Sequence, residues 1–151
     1  MPHGRHTGRQ YHDQMQEPSK LDASQIALLV DRFYEKVRVD PLLGPVFNAA
    51  VHDWDEHQRT LTSFWCSVAL RANSYRGNPM AVHRTQPSIR TEHFERWLSL
   101  WKTTTREELD EADAKLMLEH ADRIGRSLRL GMGLPERLET RGLAIPVIGK
   151  A

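Results

Sequence analysis

From Asp22 to Leu130 the apolar residues return every three or four positions, and this period constrains the fold more than any other feature of the chain. Ile26, Leu29, Val30, Phe33 and Val37 share one face of a helix expected over 22–39. Asp22 with Gln25 reads as a capping box at its start, and Asp40-Pro41 ends it, because proline disfavours helical geometry in the residue before it. The stretch Leu42 to Phe47 reads as an apolar corner, too broken by Gly44 and Pro45 to form a helix of any length. A second helix is expected over 54–71, with His57, Leu61, Phe64, Trp65 and Val68 on one stripe, so a histidine lies in line with residues bound for the core. The turn-rich run Asn73 to Pro79 breaks the chain, and a short helical piece over 80–84, closed by Pro87, carries His83. A third long helix is expected over 91–105 with Phe94, Trp97, Leu98 and Trp101 on one face. A fourth is expected over 109–130, with Leu116, Ile124 and Leu128 inward and His120 in line with them as a core histidine. No alternating pattern and no internal repeat interrupts this series, so the fold class is all-α.

The 151 residues suit one domain, expected over 21–132. Residues 1–20 are polar, with His3, His6 and His12 scattered among them, and read as a flexible tail. Residues 133–151 form a C-terminal extension whose short apolar run, 143–148, the pattern does not place. A formal net charge of +1 offers no electrostatic reason to expect nucleic acid or anionic lipid as a partner. The single cysteine, Cys66, has no internal disulfide partner and sits in an apolar helical pattern, which suits a buried, reduced thiol. There is no secretory apolar core and no run approaching the ~20 apolar residues of a membrane span, so a cytoplasmic location is expected.

Inward histidines on helices admit several metal chemistries. A di-iron bundle needs Glu-x-x-His pairs, yet the residues three before His57, His83, His93 and His120 are Trp54, Met80, Arg90 and Met117. His-Glu-x-x-His is absent, one cysteine is too few for the usual zinc cages, and neither a phosphate loop nor a nucleophile elbow is present. Haem asks for less: one axial nitrogen, a large apolar and aromatic lining, and a few polar groups on the far face. On residues alone the ligand stays open. A histidine at a turn such as His83 is ordinarily a surface residue, His57 serves equally as a satisfied core histidine, and His93 at the edge of its stripe is the rival ligand.

The run Phe33-Tyr34-Glu35-Lys36-Val37-Arg38, followed by Asp40-Pro41-Leu42-Leu43-Gly44-Pro45-Val46-Phe47, resembles the start of a group III truncated haemoglobin. The likeness continues through Trp54-Asp55-Glu56-His57, Phe64-Trp65, Tyr75-Arg76-Gly77-Asn78-Pro79, His83 and Phe94-Glu95-Arg96-Trp97-Leu98, keeping order and approximate spacing over about residues 23–131. The chain has no Gly-Gly pair, which other truncated globin groups usually carry at helix ends. The resemblance implies a helical sandwich around haem b, with His83 as proximal ligand to the iron and Tyr34, His57 and Trp97 on the distal side. It implies Phe47 against the porphyrin, with Leu61, Phe64, Met80 and Phe94 completing the cofactor lining. It implies reversible binding of oxygen, nitric oxide or carbon monoxide. The alternative is a haem enzyme, a nitric oxide dioxygenase or peroxidase-like catalyst, which would need a separate reductase because the chain carries no flavin or nicotinamide fingerprint. A monomer or weak homodimer is expected. A helical interaction module without cofactor is the third reading, and it predicts a colourless protein.

Overall fold

The computed structural model describes residues 21–134, apart from Arg76, Thr85 and Pro87 and the side chain of Arg84. The expected tail, 1–20, lies outside the described residues, as does the C-terminal extension beyond Leu134. Six helices and no strand occur among the described residues.

Helix α1 (Ala23–Val39) begins where the Asp22 carboxylate accepts the Gln25 amide at 2.9 Å. The expected capping box is one-sided, because Gln25 Oε1 is buried without a hydrogen-bond partner. A short helix α2 (Leu43–Ala50) occupies the stretch expected to be an irregular corner. The two helix breakers fall in its first turn. Pro45 is its third residue, where a backbone N–H would have no intrahelical acceptor anyway. Gly44 sits so close to α1 that a Cβ there would stand 2.9 Å from the Arg38 carbonyl oxygen. The Asp40 carboxylate caps the turn by accepting the amides of Leu42 (3.1 Å) and Leu43 (2.9 Å).

Helix α3 (Trp54–Leu70) is capped by Asp53, which accepts the Glu56 amide at 3.1 Å, and ends at Arg71 in the left-handed region with φ 57°. Helix α4 (Pro79–Arg84) is the short piece that carries His83. Helix α5 (Thr91–Glu108) runs three residues past its expected end. The polar run Thr103-Thr104-Thr105 reads as a helix end, but each hydroxyl donates to a carbonyl of the preceding turn, so the threonines continue the helix.

Helix α6 (Glu111–Met132) buries Ala114, Met117, Ala121, Gly125 and Leu128; of the expected stripe, Leu128 is buried and Ile124 packs on the core, whereas Leu116 turns away. Leu116 is 37% exposed and Met117 fully buried. Small residues on the inward face let α6 approach α5 closely, and a reading weighted toward large side chains misses them. His120 consequently lies near the surface, its Nδ1 2.6 Å from an Arg123 guanidinium nitrogen, and is not a core histidine.

Helix α1 packs on α3 and α5 on α6, and α1 against α5 joins the two pairs into a helical sandwich. Phe33, Trp65, Trp101 and Met117 are fully buried where they meet. Trp101 stacks on Trp65 with centroids 4.5 Å apart and donates its indole N–H to the Met117 carbonyl at 3.0 Å. Across the sandwich, Arg96 of α5 grips buried Asp40 through two nitrogens at 2.7 and 2.6 Å.

Burial pushes the Asp40 carboxyl up, but the Arg96 guanidinium and the two capped amides outweigh it and hold the group below its ordinary range. A depressed folded value adds stability that is present above the unfolded value, near 4, and is lost as pH falls through the folded one. Asp40→Asn should therefore cost about 1–2 kcal/mol at pH 7, the half-exposed guanidinium tempering the effect. Urea denaturation should show that gap narrowing progressively below about pH 4. A gap independent of pH would assign the loss to shape rather than charge.

Candidate functional site

The sandwich leaves a cavity of about 340 Å³ walled by all six helices, within the range of small-molecule sites. Tyr34, Phe47, His57, Leu61, Phe64, His83, Phe94 and Trp97 all line it, so eight residues singled out in the sequence meet at one place. Met80 does not. Pro79, Val82 and His83 take the cavity face of α4, and Met80 packs against α6, where its sulfur would lie 2.6 Å from a Cβ at Gly131. The lining also includes Tyr75, Gln86, Ile89 and His93, which stand in or beside the loops around α4. Loops carry no periodicity, so the sequence marks Tyr75 only as an aromatic residue and as the start of the run Tyr75-Arg76-Gly77-Asn78-Pro79. Ser67 Oγ fixes that residue by accepting the amides of Ser74 and Tyr75, each at 3.0 Å, which sets the Tyr75 ring edge-on to Phe64.

His83 has a defined polarity. Its Nδ1 lies 2.7 Å from the Pro79 carbonyl oxygen. A carbonyl only accepts, so Nδ1 carries the proton and Nε2 keeps a lone pair. Phe94 holds the ring at a 29° interplanar angle with centroids 6.3 Å apart.

His57 and Tyr34 share another part of the lining, edge to face at 5.4 Å. The His57 ring also meets Trp54 at 5.4 Å, and its Nε2 is buried without a hydrogen-bond partner. Burial holds the His57 ionisation below its usual value, so the ring is neutral at pH 7. Desolvation drives the Tyr34 phenol well above its ordinary value, with hydrogen bonding from Trp97 acting the other way, so the hydroxyl stays protonated. Trp97 has little freedom to turn. It lies parallel to Trp101 (8°, 6.0 Å) and to Trp65 (20°, 6.4 Å), with Phe33 edge-on at 6.0 Å.

His93 has the opposite polarity to His83. The Arg90 amide donates to its Nδ1 at 2.9 Å, which puts the proton on Nε2 and leaves no lone pair there for a metal. Among the described residues no three or more His, Cys, Asp and Glu side chains come together as ion ligands. One free imidazole nitrogen, an apolar slot and an orphaned polar nitrogen on His57 together fit a haem better than a bare ion.

The family model for bacterial-like globins matches residues 22–127. The group 3 truncated hemoglobin of Campylobacter jejuni is 34% identical over 108 residues, covering 69% of this chain and 85% of that protein. The crystal structure of the group III truncated hemoglobin from Campylobacter jejuni superposes with a TM-score of 0.71 at 32% identity, covering 75% of this chain and 92% of that one.

Proposed function

This chain belongs to the bacterial-like globin family, and from that membership we propose that it binds haem b and takes up oxygen or another diatomic gas reversibly. The observation that carries the reading is the bond from His83 Nδ1 to the Pro79 carbonyl, which leaves Nε2 as a fixed, unprotonated ligand on the cavity wall. Haem held there would supply an iron with one coordination position free for a diatomic molecule.

The chain's own residues do the rest. Phe47, Leu61, Phe64 and Phe94 offer flat apolar surface to a macrocycle and keep water out. The Tyr34 hydroxyl and the Trp97 indole N–H are donors in a water-poor setting, where a hydrogen bond to an electron-rich ligand is worth more than in solvent. Neutral His57, its Nε2 unpartnered, is a third polar group for the ligand to meet. Buried Cys66, whose thiol burial pushes above its ordinary value, stays protonated and suits a reducing, cytoplasmic setting. No described helix is long and apolar enough to cross a membrane.

Reconstitution tests the reading. The full chain titrated with haem should saturate at one equivalent with a strong Soret band, and carbon monoxide added after reduction should shift that band reversibly. Uptake without a stoichiometric end point would overturn the proposal.

A further inference from the structure

Of the histidines that line the cavity, His93 is left without a role by the reading above. Its tautomer is set by the backbone: the Arg90 amide donates to Nδ1 at 2.9 Å, so at neutral pH the other ring nitrogen, Nε2, is an N–H donor. The cavity therefore carries a histidine that offers a lone pair, His83 on α4, and one that offers a proton, His93 on α5.

His93 is half-buried, and the lining near it in sequence includes Val82, 58% exposed, and partly exposed Gln86 and Ile89. This part of the wall reaches solvent. A fixed donor there suits a flat apolar molecule that carries anionic oxygens on one edge, and haem b has a pair of carboxylates on one edge of its ring. We propose that His93 Nε2–H binds a carboxylate of the cofactor at the cavity mouth and so sets which way round the cofactor enters. The inference rests on the haem reading and adds an anchoring residue to it.

The test compares haem b with its dimethyl ester, which keeps the ring and loses both charges. Each is loaded into the full chain, and its loss to an excess of a haem-scavenging apoglobin is timed. The unmutated chain should release haem b about tenfold more slowly than the ester, the scale of a charge-assisted hydrogen bond. His93→Phe should bring the two rates together by quickening haem b loss alone, and its Soret band should stay in place. His93→Asp, whose carboxylate can still accept the Arg90 amide but offers no donor, should do the same, which separates lost anchoring from a disturbed helix start. A rate ratio preserved in both variants overturns the proposal, and so does a Soret band displaced by either. Failure of the unmutated chain to take up haem b defeats the haem reading itself, whereas stoichiometric uptake with equal rates for acid and ester defeats only the anchor.

Discussion

Replacing His83 by alanine should abolish stoichiometric haem uptake, or leave a weakly held haem with a displaced Soret band, while His93→Ala keeps the band where it was. The expectation follows from the two tautomers. His83 Nδ1 donates to the Pro79 carbonyl one turn earlier in the same short helix, so the ligand, its orientation and its protonation are set within five residues. No other described histidine on the cavity wall has that combination. His93 has its proton on Nε2, and His57 is partly buried, edge-on to Tyr34 and Trp54. Loss of a hydrogen-bonded partner behind a metal ligand typically costs about 10–100-fold in affinity, so loss of the ligand itself should exceed that range. The cavity left by His83→Ala offers a further check: free imidazole, which can occupy the vacated volume, should restore the band in proportion to its concentration. An unaltered Soret band in His83→Ala at one equivalent of haem would sink the ligand assignment and turn attention to His57.

Much of this arrangement is legible in the sequence because helices advertise themselves by period. The face of α1 from Ile26 to Val37, the stripe of α3 from His57 to Val68 and the aromatic row of α5 from Phe94 to Trp101 all carry large apolar side chains at helical spacing. Where the structure departs, the signal is of another kind. Helix α2 is hidden by Gly44 and Pro45, which are breakers inside a helix but harmless in a first turn pressed against a neighbouring backbone. The inward face of α6 is written in Ala114, Ala121 and Gly125, whose contribution is closeness rather than area, so Leu116 is mistaken for core. Met80 is expected in the cofactor lining, yet in a helix as short as α4 only one face can meet the slot, and Met80 turns to Gly131. The tautomers of His83 and His93 are beyond any one-dimensional reading. They depend on whether a carbonyl or an amide lies within 3 Å of a ring nitrogen, and the sequence holds no record of that.

Tyr34→Phe should speed oxygen dissociation about 10- to 100-fold and change carbon monoxide dissociation little. The phenol is buried within a wall of Phe33, Phe47, Trp54 and His57, and desolvation keeps its proton on, so it is a donor at any physiological pH. Oxygen gathers negative charge as a ligand and carbon monoxide much less, so a donor discriminates between them by the strength of one hydrogen bond. Bonds to charged partners contribute about 1.5–3 kcal/mol, and every 1.4 kcal/mol is about tenfold in rate or affinity. Phenylalanine keeps the ring and its edge contacts and removes only the hydroxyl, so packing changes should affect both gases alike and cancel in their ratio. Trp97 supplies the complementary test. Its indole is clamped between Trp101 and Phe33, and its N–H acts on the Tyr34 phenol as a donor, favouring the ionised form against burial, so the two groups are coupled. The double variant with Trp97→Phe should then fall short of the product of the single effects, because Trp97 acts partly through the Tyr34 hydroxyl and that part is already lost in Tyr34→Phe. Stopped-flow displacement of each gas gives all the rates required. An oxygen rate for Tyr34→Phe within twofold of the parent would remove Tyr34 from ligand stabilisation, and strictly multiplicative effects would mean that the two donors act on separate atoms of the ligand.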